Sequence, residues 1–238
     1  NYWDRVFANN MINCRSGCPG EARGLMENTF GWGLNDRFGA IRNCNLIIEK
    51  VAASEVLDES YKKRYTAEAK MMRAMIYYDL ARRGGRFMWV DRVLTESDNF
   101  EIPLTKSIEE SYGYVLKDLR EAITDLPEEV VSGRLNKNSG LALLSEVCLT
   151  AAAYTGNAAG LHVSSGVDLY QEAVDAVDAI RGVSLDPNYG DIFNENGAYS
   201  SNEIILAKYW SADNTSMVNT DMQSLTPNVL NSNVELNG

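Results

Sequence analysis

The sequence predicts a mainly α fold, built of stacked helical hairpins with long irregular loops and minor short β segments. Three observations predict it. Five stretches between residues 35 and 182 repeat apolar residues at steps of three and four, the spacing that gathers side chains on one side of an α-helix. Their ends carry Ser, Asp, Gly or Pro where helices start and stop. With 238 residues and 45% hydrophobic content, the chain can also bury a real core in one domain.

Residues 1–34 form an irregular N-terminal part. A short helical pattern places Trp3 with Val6 or Phe7 in the core, and Gly17, Pro19, Gly20, Gly24, Gly31 and Gly33 then break regular structure. Asn35 or Asp36 starts the next helix, whose Phe38, Ile41, Asn45, Ile48 and Ala52 share a face. Asn45 lies among apolar neighbours there. A buried amide must be hydrogen-bonded, so Asn45 is expected to reach the backbone of an adjoining loop and lock tertiary structure.

The stretch from Tyr65 to Gly85 follows, with Tyr65, Ala69, Met72, Ile76 and Leu80 as its seam. Asp58 and Glu59 suit its start, Arg82 and Arg83 its negative end, and Gly84 a left-handed stop. Ala67, Ala69 and Ala74 leave room for a close neighbour, and Arg73 is read as pairing with Glu68 within the stack. Ser107 and Glu110 make a capping-box pattern before Tyr112, Val115, Leu119, Ala122 and Leu126, and Pro127 ends that helix. Ser139 opens a fourth, with Leu141, Leu144, Cys148 and Ala151 inward and Gly156 as its stop. Asp168 with Gln171 caps a fifth carrying Ala173, Val177 and Ile180 before Gly182. Helices one with two and three with four read as hairpins, each with a face it cannot bury alone. Residues 35–182 are thus a helical-repeat core and 183–238 a loop and short-strand region, in which Glu203 to Trp210 is β-like. Phe87 to Val90, with Trp89 packed inward, is a second extended segment.

A formal net charge of -11 argues against a nucleic-acid partner, which requires concentrated Lys and Arg. No apolar run reaches the length of a transmembrane helix. Cys14 and Cys18, in NCRSGCPG, can close a short disulfide loop in an oxidising compartment, whereas Cys44 and Cys148 lie in helical patterns as buried thiols. With His162 the one histidine, no metal site and no cofactor are expected. No nucleophile elbow or cysteine-protease signature accompanies His162, and Gly31-Trp32-Gly33 and Gly84-Gly85 lack the rest of a phosphate-binding fingerprint. Paired carboxylates of a glycosidase cannot be singled out among 33 acidic residues. No catalytic residue is assigned.

Glu68-Ala69, Arg73-Ala74, Tyr77-Tyr78 and the Gly84-Gly85 end together resemble the signature helix of the SusD/RagB family of outer-membrane nutrient-binding lipoproteins. Ile41-Arg42-Asn43-Cys44-Asn45 upstream fits the family's order. So do Asp118-Leu119 with Leu126-Pro127, Gly133-Arg134, and Glu203-Ile204-Ile205 downstream. Two positions depart from it: Arg86-Phe87 stands where the family commonly has a proline, and Glu146 where a basic residue is frequent. The resemblance implies tetratricopeptide-like stacking and a single, incomplete domain, since family members carry an export signal, a lipidated cysteine and a long second half. It also implies a non-catalytic, surface-exposed, lipid-anchored protein of the outer membrane. Such a protein captures a glycan and passes it to a TonB-dependent, SusC-like transporter.

Sugars stack their C–H faces on aromatic rings and bond their hydroxyls to planar polar groups. Trp32, between two glycines and just before Asn35, Asp36 and Arg37, is the first candidate platform; its alternative is to cover the first helix. Tyr209 and Trp210 run into a polar segment, and because neighbours on a strand face opposite sides, one of them at most is a second platform. Two rival functions stay open: a RagB-like peptide-binding uptake protein, and a helical-repeat adaptor for a protein partner.

Overall fold

The computed structural model describes residues 34–131, 133–154, 168–193 and 201–207. All of these from Asn35 onward belong to one compact unit, Asn35–Lys208. Among the described residues five α-helices run in order: α1 (Leu34–Ala52), α2 (Glu59–Gly84), α3 (Ile108–Asp125), α4 (Lys137–Tyr154) and α5 (Leu169–Asp178), followed by a 3-10 turn at Asp191–Phe193. The mainly α prediction therefore holds. Among the described residues, β structure is limited to one antiparallel bridge, Met88 with Leu104. The expected strand from Glu203 is not formed over 203–207, where the chain turns and bends.

The hairpins are not the expected ones. α2 packs most extensively on α3, and α4 on α5, with α3 against α4 joining the two pairs. Polar side-chain bonds, from Arg37 to Asp79 and from Arg73 to Asn45, link α1 to α2. Asn45 Nδ2 donates to the carbonyls of Val90 and Arg92, both at 3.0 Å. The Tyr77 hydroxyl donates to Val90 O at 3.1 Å and accepts from Val90 N at 2.8 Å. The 85–107 connection is thereby sewn to both helices, as the buried-amide argument for Asn45 required.

The rotation of α2 also differs from its predicted seam. Ala67, Met71, Ala74, Tyr78 and Ala81 are buried along one stripe, and Ala69, Arg73, Tyr77 and Leu80 along the next. Met72 is half exposed. The cause is polar: Arg73 turns inward to Asp118 of α3, with Nε to Oδ2 at 2.7 Å and Nη2 to Oδ1 at 2.8 Å. Nη1 completes the set on Asn45 Oδ1 at 2.7 Å and Asp91 O at 3.1 Å. Glu68 is not its partner, pairing instead with Arg64 and Arg134. Burial works against the charged guanidinium, but the hydrogen bonds and charge of Asp118 outweigh it and raise the Arg73 pKa.

Helix ends follow local chemistry with small shifts. The positive φ after α2 falls on Gly85 (71°), one residue past the expected stop. Asp58 sits at the N-cap without a side-chain bond. Ser107 caps α3 by accepting from Glu110 N, and Tyr112, Val115, Leu119, Ala122 and Leu126 are all buried as predicted. α4 begins two residues before Ser139 because Asn136 and Ser139 cap each other: Ser139 N donates to Asn136 Oδ1 at 3.0 Å and Asn136 N to Ser139 Oγ at 2.9 Å. Leu141, Leu144, Cys148 and Ala151 point inward. Cys44 and Cys148 are buried free thiols, and burial pushes Cys148 up to about 12. In α5, Leu169, Ala173 and Ala176 are buried while Val177 is 52% exposed, contrary to expectation. Glu172 fixes that rotation by accepting from Arg120 Nε at 2.7 Å and Nη2 at 2.6 Å.

Two predictions follow from this packing. Breaking the pair with Asp118→Ala should cost about 3–5 kcal/mol in urea unfolding, while the apolar pair Arg73→Met with Asp118→Leu recovers much of the loss. A Cβ on Gly140 would meet Ile123 Cγ1 at 2.8 Å and Leu126 Cδ1 at 3.0 Å, whereas one on Gly39 meets nothing within 4 Å. Overpacking costs about 1–3 kcal/mol against a helix-propensity gain of about 1 kcal/mol. Gly140→Ala should lower Tm and Gly39→Ala raise it.

Candidate functional site

The first turn of α1 carries part of the predicted site. Asn35 belongs to that turn and Asp36 is exposed on it. Arg37 is half-buried and bonded to Asp79 of α2, with Nε to Oδ2 at 2.7 Å and Nη2 to Oδ2 at 2.6 Å. Trp32, Tyr209 and Trp210 lie outside the described residues, as do His162, Cys14 and Cys18. Sequence reasoning treated Arg37 as a ligand donor and missed its anchor. The spacing of Asp79 to Arg82 and Arg83, three and four residues on, marked that carboxylate as an ion-pair acceptor.

Asp79 is the electrostatic centre of this corner. Burial pushes its carboxyl up, but hydrogen bonds from Arg83 and Arg37 outweigh burial and hold it below the ordinary value. Trp89, half-buried, stacks on Tyr114 with ring centroids 4.6 Å apart and planes 7° from parallel. The Arg73 guanidinium lies 5.2 Å from the Trp89 ring centroid. Those rings belong to the scaffold. The most exposed described aromatics lie elsewhere, off the α-helices: Phe100 is 65% exposed, Tyr189 74% and Phe193 70%. Tyr189 and Phe193 meet edge to face at 5.0 Å, with Asn188 and Asp191 within two residues of Tyr189 in the sequence. The turn-forming Asn188-Tyr189-Gly190 was the available sequence signal for that pair.

Among the described residues, no group of three His, Cys, Asp or Glu side chains is placed to hold a metal. No described helix is long and apolar enough to cross a membrane. What the described surface offers is aromatic faces beside carboxylates and amides, an arrangement suited to binding polyhydroxylated ligands through ring stacking and rim hydrogen bonds.

The lowered pKa of Asp79 has a pH signature. A carboxylate whose folded pKa lies below its unfolded value of 3.8 stabilises the fold above that value, and the contribution is lost as pH falls through the folded pKa. Thermal melts from pH 5 downward should therefore show a less steep acid loss of Tm for Asp79→Asn than for the natural chain.

Comparison with known proteins agrees with this architecture. Residues 25–149, more than half of the chain, match the SusD-like family described as starch-binding and associating with the outer membrane. A SusD-like protein of Bacteroides ovatus is 27% identical over 157 residues, covering 65% of this chain and 28% of that protein. A SusD-like protein from Bacteroides fragilis has a solved structure that superposes with a TM-score of 0.62 at 30% identity, covering 75% of this chain and 33% of that one. A further structure, solved with a xylogluco-oligosaccharide, gives a TM-score of 0.69 at 21% identity over 88% of this chain and 42% of that one. The chain spans well under half the length of the relatives it matches. By the family match, the chain belongs to the SusD-like family.

Proposed function

We propose that this chain is the scaffold-bearing part of a non-catalytic, lipid-anchored protein that captures oligosaccharides at the outer-membrane surface and passes them to a TonB-dependent, SusC-like transporter. The observation that carries this reading is the family match over residues 25–149. The related structure solved with a xylogluco-oligosaccharide supports the ligand class. On this reading Trp32 supplies the stacking face, and Asn35 and Asp36 bond the sugar hydroxyls. Tyr209 or Trp210 adds a second face. Arg37, anchored on Asp79, steadies the first turn of α1 rather than gripping the ligand. A shallow surface site desolvates little, so affinity should lie in the micromolar to millimolar range, about -8 to -4 kcal/mol.

Isothermal titration with xyloglucan and β-glucan oligosaccharides tests this. Trp32→Ala should weaken binding about tenfold or more, the equivalent of about 1.4 kcal/mol, with the circular dichroism unchanged. Tyr189→Ala is the comparison variant, because that ring is the most exposed described aromatic. Unchanged affinity in Trp32→Ala removes Trp32 from the site, and absence of binding to any oligosaccharide overturns the glycan reading.

A further inference from the structure

At the junction of α2, α3 and α4, a buried hydroxyl has no hydrogen-bond partner among the described residues. Tyr112 is fully buried in the first turns of α3, and its hydroxyl has no hydrogen-bond partner among the described residues. Its ring meets Tyr78 of α2 edge to face at 6.4 Å and lies 6.3 Å from the ring of Tyr154 at the end of α4. The two neighbouring hydroxyls are already engaged. Tyr78 Oη bonds Glu146 Oε1 at 3.0 Å and Thr150 Oγ1 at 2.7 Å, and Tyr154 Oη donates to Arg82 O at 3.0 Å. Neither gives Tyr112 Oη a bond in this arrangement.

A buried hydroxyl left unanswered is costly, and native interiors meet such groups with protein atoms or with ordered water. We infer that Tyr112 Oη holds one internal water molecule at this three-helix junction. Its chemistry selects the ligand. The phenol offers one donor and accepts as well, and only a small neutral molecule that both donates and accepts can satisfy it without placing a charge among aromatic rings. Water is the smallest such molecule. Internal waters use two to four polar partners, and the lone pairs that the Tyr78 and Tyr154 hydroxyls keep, with the Arg82 carbonyl, are the polar groups this junction can offer it. The junction beneath the end of α2 is then hydrated at one point rather than dry.

Tyr112→Phe removes the anchor and keeps the ring. If the water is held, a crystal structure that resolves ordered solvent shows it within hydrogen-bonding distance of Tyr112 Oη and loses it in Tyr112→Phe, whose Tm falls by about 2–4 °C. A Tm that stays level or rises would mean the hydroxyl is an uncompensated burden in a dry core. A crystal structure in which Oη bonds a protein atom directly would overturn the inference as well.

Discussion

A guanidinium buried among three segments must have its donors answered, because a charge taken out of water is tolerated only when paired and hydrogen-bonded. Arg73 meets that condition through Asp118 on α3, Asn45 on α1 and the Asp91 carbonyl on the α2–α3 connection. The Arg73 and Asp118 side chains are 6% and 4% exposed, so solvent does little to screen the pair. The desolvation cost offsets most of the attraction, and the pair's value lies less in net stability than in excluding other arrangements. It sets the rotation of α2, puts Met72 on the surface, and ties the 85–107 connection beside α1.

Other contacts repeat this logic with less burial. Arg120 with Glu172 sets the rotation of α5 against α3, and Asp79 with Arg37 holds the start of α1 to the last turns of α2. Lys70 with Glu121 adds a more exposed link between α2 and α3 at 2.7 Å, of the kind that contributes at most about 1 kcal/mol. Between these polar fixings the helices approach through small residues, and at Gly140 of α4 the approach to Ile123 of α3 leaves no room for a Cβ. Shape and charge thus divide the work: apolar faces drive stacking, and a few ion pairs choose the rotation of each helix.

That division explains what was legible in the sequence. The helices, their order and the buried face of α3 follow from periodicity and capping, because Ser107 and Pro127 bracket a single uninterrupted stripe. The burial of Asn45 was legible for the same reason: an amide on an apolar face has to find a partner. The rotation of α2 was not, since Arg73 looks like a surface residue until Asp118, 45 residues away, is brought to it. Val177 misled for the parallel reason that Glu172 is held by Arg120. The hairpin pairing failed because sequence does not show a loop lying beside two helices. Of the candidate site, Asp36 and Arg37 lie on the first turn of α1, and the bond from Arg37 to a carboxylate 42 residues on is a contact that spacing along the chain does not show. The residues that mark the family, Asn45, Arg73 and Asp118, meet in one buried cluster and belong to the scaffold.

The central claim is that this cluster acts as one unit through Arg73, although no hydrogen bond links Asn45 to Asp118 among the described contacts. A double-mutant cycle on Asn45→Ala and Asp118→Ala, read by urea unfolding, tests it most directly. If Arg73 couples them, the double variant departs from the sum of the singles by about 0.5–3 kcal/mol; additivity to within about 0.3 kcal/mol would contradict the account.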